Sequence, residues 1–170
     1  MRKPLEKTSF LCQNILLDDA EFLEIIDASG VDLFRDGVGQ FWHHAFSRCT
    51  NVRQVKLDID CGIEGFCDAL IQDIRDPDAS SSGDRGEGAN PILFPNLSSL
   101  TVTASFKWTK PRDAAGFASP PLCEIFLEML TLRAERAPLH ELDLCDSFGF
   151  DKAWIDCVKA IVPIVKVEFT

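Results

Sequence analysis

The histidines and cysteines are the residues of this sequence that could hold a metal ion. His43 and His44 lie close in sequence to Cys49 and Cys61. Adjacent histidines on a helix point about 100° apart, so the two do not easily serve one ion. His44 falls on the polar side of its helical pattern, whereas Cys49 continues the apolar stripe. The spacing therefore favours ordinary surface and core residues, and we expect no metal site.

A catalytic centre is not indicated by the other reactive residues. His140 and Cys145 are five residues apart on one strand-like segment, and alternating strand side chains would point to opposite faces. The sequence contains no nucleophile-elbow, phosphate-loop, dinucleotide-binding, zinc-protease or calcium-loop motif. We therefore expect a chain that is not an enzyme and that carries no cofactor. A small α/β enzyme, with a site assembled from scattered residues, is the alternative.

Apolar residues at steps of three and four indicate the helices. Four such stripes occur, over residues 34–49, 63–74, 122–130 and 154–162. Pro163 would stop the last of them. A shorter helix is predicted over residues 19–28, with Phe22, Leu23 and Ile26 facing inward and Gly30 ending it.

Short segments of alternating apolar and polar residues lie between these helices, at residues 55–59, 100–103, 142–144 and 165–169. Such alternation is typical of a strand with one buried face. A further first strand is predicted at residues 10–15. Strands separated by helices pair in parallel. The sequence thus predicts an α/β fold with a parallel sheet of about four to five strands and with helices on its other face.

Three of these strands share a lead-in of the form LxxLxL, as in Leu97-Ser98-Ser99-Leu100-Thr101-Val102. The strand anchors Val55, Leu100, Leu142 and Val165 are 45, 42 and 23 residues apart. Two insertions, at residues 76–92 and 106–120, account for the longer spacings, and without them all three fit the roughly 20–29 residues of leucine-rich repeats. We expect one degenerate leucine-rich-repeat-like solenoid domain over residues 1–170, with a disordered insertion at 76–92.

The motif Phe94-Pro95-Asn96-Leu97-Ser98-Ser99-Leu100-Thr101-Val102 resembles a recurring strand-start motif, FPNLxxLxL. That motif belongs to the C-terminal leucine-rich-repeat-like region of fungal F-box proteins of the basidiomycete type. Residues 127–144 resemble the next unit of those proteins, and residues 154–169 resemble their closing helix and strand. The resemblance covers about residues 51–170. It rests on these three segments occurring together, because the LxxLxL pattern alone is common.

The resemblance implies a protein–protein interaction module, the substrate-recognition part of an F-box subunit of a cullin-type ubiquitin ligase. The first 50 residues lack the proline-led, leucine-rich opening of an F-box. We therefore expect a fragment of a longer F-box-type protein, or a protein that has lost its ligase-docking part. A cullin-ligase adaptor is then a partner only if an F-box lies upstream. A truncated gene product without independent function is a further alternative.

Charge and cysteine usage limit the compartment and the partners. The formal net charge is −10, which repels nucleic-acid phosphates and anionic lipids, so we expect neither nucleic-acid nor membrane binding. Seven cysteines occur, an odd number, and none forms a CxxC pair. We expect reduced thiols in a cytoplasmic or nuclear protein. Most should be buried, among them Cys49, Cys67 and Cys157, which fall on apolar stripes.

The polar residues of the strands are the candidate binding surface. If Val55, Leu57 and their counterparts face the core, the residues between them face outward, and parallel pairing places these in rows. Repeat proteins bind partners with such a surface. A merely solvated strand face is the plainer interpretation. The residues predicted to bind an unknown protein partner are Lys56, Asp58, Thr101, Thr103, Glu141, Asp143, Lys166 and Glu168.

Overall fold

The computed structural model describes residues 17–26, 42–43, 45–58, 63–75, 92–103, 122–145, 150 and 152–167. Several features predicted from the sequence lie outside these residues. They are the strand at 10–15, residues 76–91 of the first insertion, the second insertion at 106–120, and Glu168 of the candidate surface.

Among the described residues, five short strands form one parallel sheet, in the order in which they occur along the chain. They are β1 (Phe22–Ile26), β2 (Gln54–Asp58), β3 (Ser99–Thr103), β4 (Glu141–Cys145) and β5 (Ile164–Val167). The predicted α/β class and the parallel sheet of about four to five strands are confirmed.

Three helices of ten or more residues lie in the described part of the chain. They are α1 (Ile63–Arg75), α2 (Leu122–Ala134) and α3 (Lys152–Ile161). Residues 42–43 and 45–46, within the predicted stripe at 34–49, are also helical. The helix stripes and the inward strand residues form one core, which includes Val55, Leu57, Leu100, Val102, Leu142, Leu144, Phe66, Leu70, Phe126, Met129, Trp154 and Val158.

Each strand starts in the same way. An apolar residue three positions before the strand anchor packs into the core, as Val52, Leu97, Leu139 and Val162 do before β2 to β5. The backbone hydrogen bonds repeat as well. In the first three cases, one carbonyl at a strand start accepts two N–H groups from the following strand start. The Glu21 carbonyl accepts from residues 53 and 54, the Arg53 carbonyl from 98 and 99, and the Ser98 carbonyl from 140 and 141, at 2.8–3.1 Å. Pro163 has no N–H group to donate, and residue 164 alone bonds to the His140 carbonyl.

The helix predicted over residues 19–28 is wrong, because residues 22–26 form β1. Pairing with β2, which aligns Leu23 with Val55 and Ile25 with Leu57, outweighs the three-and-four spacing that suggested a helix. Phe22 and Ile26, predicted to face inward, are instead 53% and 59% exposed. Leu23 packs against the core as predicted, and Ile25 packs there as well.

A buried arginine links α2 to the segment before β3. Phe94 has a φ of 51°, a left-handed conformation that costs a residue with a Cβ roughly 1–2 kcal/mol. Arg133 is fully buried, and its guanidinium donates to the carbonyls of Leu93 and Phe94 at 3.3 and 2.5 Å. The Phe94 ring packs against Phe46 and Phe66. These contacts hold the strained turn of the Phe-Pro-Asn-Leu motif in place.

Trp154 fixes α3 against α2. Its indole N–H donates to the Cys123 carbonyl at 2.9 Å. Its ring stacks on Phe150, with the ring centroids 4.4 Å apart, and also contacts Phe126. A ring that is buried and satisfied in its hydrogen bonding is a core residue, as the periodicity of the helix predicted.

The predicted burial of the cysteines is correct at two positions and wrong at one. Cys49 and Cys67 are buried, whereas Cys157 is exposed, and all the cysteines in the described ranges are free of disulfides. Trp154, Ile155 and Val158 are the buried residues of α3. At about 100° per residue, Cys157 lies roughly a quarter-turn or more from the centre of that stripe and therefore faces solvent.

Two carboxylates on α1 repel one another. Asp68 follows Glu64 by one helical turn. Partial withdrawal from water raises the pKa of the Asp68 carboxyl above its usual value, and the Glu64 charge raises it further. A carboxyl whose pKa is higher in the folded than in the unfolded state binds its proton more tightly when folded. Its contribution to stability therefore falls as the pH rises through the interval between the two pKa values.

We expect Asp68→Asn to increase the free energy of unfolding at neutral pH by at most about 0.5 kcal/mol, since it removes a like-charge pair one turn apart. The gain should vanish once the pH falls below about 3.9, the unperturbed pKa of aspartate. Urea denaturation at several pH values measures this. Gln72→Asn, at an exposed and uncharged position of the same helix, should show no pH-dependent gain, because neither side chain titrates. A gain independent of pH would contradict the electrostatic explanation.

Candidate functional site

The side of the sheet opposite the core carries the candidate surface. We call it the outer face. It consists of the strand residues that alternate with the inward ones, namely Phe22, Glu24, Ile26, Gln54, Lys56, Asp58, Ser99, Thr101, Thr103, Glu141, Asp143, Cys145, Ile164 and Lys166. None of these residues belongs to the buried core, whereas the strand residues between them do so in β2, β3 and β4.

The central row of the outer face runs across all five strands. Lys56 aligns with Thr101, Thr101 with Asp143, and Asp143 with Lys166. The alignment predicted for these four residues is therefore present. β1 adds Glu24 beside Lys56. The row thus reads as an anion, a cation, a hydroxyl, an anion and a cation at successive strands, which lie about 4.8 Å apart.

Both lysines of the central row are engaged by glutamates. The Lys56 ammonium lies 2.8 Å from a Glu24 carboxylate oxygen, and the Lys166 ammonium lies 2.6 Å from a Glu141 carboxylate oxygen. Hydrogen bonding to Glu24 raises the pKa of Lys56, and hydrogen bonding to Glu141 raises the pKa of Lys166. Both lysines therefore stay charged, and each is neutralised locally by its glutamate.

The other predicted residues lie on neighbouring rows. Asp58 is exposed and Thr103 is half-buried, and they align with each other and with Cys145 of β4. The Cys145 thiol donates to the Asp143 carboxylate at 3.1 Å. The sheet thus brings together seven of the eight predicted residues, and the eighth, Glu168, lies outside the described residues.

A groove lies where the first three strands begin. We call it the lead-in groove. It has a volume of about 570 Å³ and is lined by Asp19, Glu21, Asn51, Arg53, Asn96 and Ser98. These residues stand two and four positions before the strand anchors, on either side of the buried lead-in residues. The groove therefore lies at the edge of the sheet where β1, β2 and β3 begin, next to the first outer-face residue of each strand.

Both asparagine side chains of the lead-in groove hydrogen-bond to backbone carbonyls. The Asn51 side-chain amide donates to the Asp18 carbonyl at 2.9 Å, and the Asn96 amide donates to the Thr50 carbonyl at 2.8 Å. Asp18 and Thr50 are equivalent positions of successive strand starts. Each asparagine thus ties its own strand start to the one before, which holds the groove in a defined shape.

The charged residues of the lead-in groove remain accessible. Asp19, Glu21 and Arg53 are all exposed. Within the described ranges none of the three takes part in an ion pair, in contrast to Lys56 and Lys166. Asp18, at the rim, pairs with Arg48 at 2.5 Å. The groove therefore presents two carboxylates and one guanidinium to a ligand.

The sequence-based predictions missed the lead-in groove. The apolar spacing of residues 19–28 predicts a helix, so Asp19 and Glu21 are not part of the predicted surface. A signal was available, because Asn51 and Asn96 both stand four positions before a strand anchor. Ala20, Leu23 and Ile25 also repeat the apolar lead-in spacing of the later strands. Recognising both would have placed a strand at 22–26 and a polar groove before it.

The central row and the lead-in groove offer mainly polar contacts to a ligand. In the part of the chain that the structure describes, no group of three or more His, Cys, Asp or Glu residues is arranged to hold a metal ion. No helix among the described residues is both long and apolar enough to cross a membrane. Ion pairs, hydroxyls and a groove with accessible charges can bind a polar partner.

Comparison with known proteins adds no relative: no protein-family model matches this chain, and neither does any curated protein or solved structure.

Proposed function

We propose that this chain is a protein-binding module of the leucine-rich-repeat type, and that it binds its partner with the outer face of the sheet. The observation that carries the proposal is the central row, in which Glu24, Lys56, Thr101, Asp143 and Lys166 stand side by side across five parallel strands. A continuous row of mixed charges suits recognition of a polar protein surface.

The repeated strand starts support a stack of leucine-rich-repeat-like units forming a short solenoid. The units of β2, β3 and β4 share a buried lead-in residue and two N–H groups donated to one carbonyl of the preceding unit. The units of β2 and β3 also share an asparagine that bonds to the preceding unit. Units that repeat in this way contact their neighbours and expose equivalent positions on one face. Proteins of this architecture use that face to bind other proteins.

The resemblance to fungal F-box proteins suggests the biological form of this binding. In that setting the outer face recognises the substrate of a cullin-type ubiquitin ligase, and a separate F-box contacts the ligase adaptor. The proposal for this chain is limited to recognition by the outer face, because Lys56, Asp143 and their neighbours are the residues that support it.

A matched pair of charge reversals tests the proposal. Lys56→Glu with Asp143→Lys reverses two of the four charges of the central row, whereas Lys159→Glu with Asp156→Lys makes the same exchange on the exposed side of α3. Exposed charges contribute at most about 1 kcal/mol each to stability, so both variants should fold. In pull-downs from the source cell followed by mass spectrometry, the row variant should lose proteins that the wild type and the α3 variant retain.

The proposal fails if the row variant folds, as judged by circular dichroism and thermal melting, and still captures the same proteins as the wild type. It also fails if the α3 variant loses the same proteins as the row variant. In that case total charge, and not the outer face, would explain the capture.

A further inference from the structure

We propose that the partner presents an extended, basic segment in which a lysine or arginine stands two residues from an apolar residue. Its cation contacts Asp19 and Glu21 of the lead-in groove, and its apolar side chain packs on Phe22 of β1. The proposed binding site is therefore the lead-in groove together with the adjoining Phe22 of the outer face. This inference rests on the proposed function, because it specifies the partner of the same surface.

The charge that remains on this surface after its internal ion pairs are counted indicates the sign of the charge expected on the partner. In the described residues, the outer face and the lead-in groove together carry six carboxylates and three cations, a net charge of −3. Two of the cations, Lys56 and Lys166, are taken up by Glu24 and Glu141. The charges that remain are four carboxylates, Asp19, Glu21, Asp58 and Asp143, against the single guanidinium of Arg53. Complementarity of potential therefore favours a basic partner segment.

The apolar part of the proposed binding site is formed by β1. Phe22 directly follows Glu21 and is 53% exposed, and Ile26, on the same face of β1, is 59% exposed. On the far edge of the sheet Ile164 is less exposed, at 39%. Lysine and arginine pack their methylene stems on apolar surface and reach with their charged ends toward acids. Phe22, an exposed aromatic residue that directly follows Glu21 in the chain, suits that combination.

The lead-in groove is already shaped for such a segment. Its asparagine amides are held by the Asp18 and Thr50 carbonyls, and the Ser98 hydroxyl donates to the Arg53 carbonyl at 3.1 Å. The walls therefore need little ordering when a ligand binds, which lowers the entropic cost of association. The Arg53 guanidinium, which has five N–H donors, can donate to the main-chain carbonyls of an extended peptide. Residues two apart in that peptide share one face, as the proposed spacing requires.

Fluorescein-labelled octapeptides of defined pattern provide the probe. One repeats Lys-Ser-Leu-Ser, the second repeats Glu-Ser-Leu-Ser, and the third repeats Lys-Ser-Ser-Ser. Fluorescence anisotropy with the full chain should show tightest binding of the Lys-Ser-Leu-Ser peptide. That binding should weaken severalfold as the salt concentration rises from about 0.05 to about 0.5 M NaCl, since exposed charges are then screened.

Two matched pairs of variants locate the site. Asp19→Lys with Glu21→Lys should weaken binding of the Lys-Ser-Leu-Ser peptide by about tenfold. Glu135→Lys with Asp156→Lys, which changes the total charge equally at exposed positions away from the outer face, should leave it unchanged. Phe22→Ser should weaken binding, whereas Ile164→Ser at the opposite edge should not. If the double lysine variant does not fold, Asp19→Asn with Glu21→Gln takes its place and should weaken binding by about threefold.

The inference is overturned if the glutamate peptide binds as tightly as the lysine–leucine peptide, if no peptide binds, or if the groove variants bind like the wild type. An equal effect of the Glu135 and Asp156 control would also overturn it, because binding would then follow total charge. The proposed function is judged separately, by whether inverting Lys56 and Asp143 abolishes capture of natural partners. A chain that loses those partners but ignores the basic peptide keeps the proposed function and refutes the basic segment.

Discussion

Replacing Arg133 with alanine should lower the free energy of unfolding by about 3 kcal/mol. The guanidinium is fully buried and donates to the carbonyls of Leu93 and Phe94. Its removal leaves both carbonyls buried with fewer donors and opens a cavity under α2. Urea denaturation followed by circular dichroism measures the change.

Two further variants separate the causes of this loss. Arg133→Met keeps most of the side-chain volume but removes the donors, so it should retain a substantial part of the destabilisation. Arg136→Ala, at an exposed arginine just beyond α2, should change the stability by less than about 0.5 kcal/mol. If Arg133→Met is as stable as the wild type, the arginine acts only by filling space.

Shortening Leu100 to alanine should cost about 2–5 kcal/mol of unfolding free energy. Leu100 is fully buried in the central strand β3, between Val55 and Leu142 of the adjacent strands. Its neighbour Thr101 belongs to the outer face, so Thr101→Ala should cost less than about 1 kcal/mol, which is the span of strand propensity. Both values come from chemical denaturation.

This pair tests the inward and outward assignment of the strand residues. A shift of pairing by one residue would exchange the two faces of the strand. A large loss at Thr101 together with a small loss at Leu100 would therefore contradict the outer face, and with it the proposed binding surface. Equal losses at both positions would mean that β3 is covered on both faces.

The strands β2 to β5 and the register of the candidate row could be predicted from the sequence. Apolar and polar residues alternate with a period of two, and a buried face specifies register strongly because a slip of one residue would expose every apolar side chain. The shared lead-in then predicts the alignment of Lys56, Thr101, Asp143 and Lys166. The three long helices followed from their apolar stripes for a similar reason.

β1 could not be predicted in this way. Its sequence, Phe-Leu-Glu-Ile-Ile, has apolar residues on both faces, so it satisfies the spacing of a helix as well as that of a strand. Pairing with β2 settles the choice, and such pairing is a long-range contact that local pattern does not contain. The lead-in groove was missed for the same reason, since half of its lining comes from the start of β1.

By itself, then, the sequence determined which faces of the strands and helices are apolar and which residues share a row, because these properties depend on spacing along the chain. The folded structure establishes which charges on the outer face are already paired. Glu24 reaches Lys56 from β1, and Glu141 reaches Lys166 from β4. It also establishes that Arg133, a residue typical of surfaces, is buried beneath the strained turn at Phe94. Both the ion pairs and the burial of Arg133 depend on contacts between residues far apart in the chain, and spacing along the sequence does not contain these.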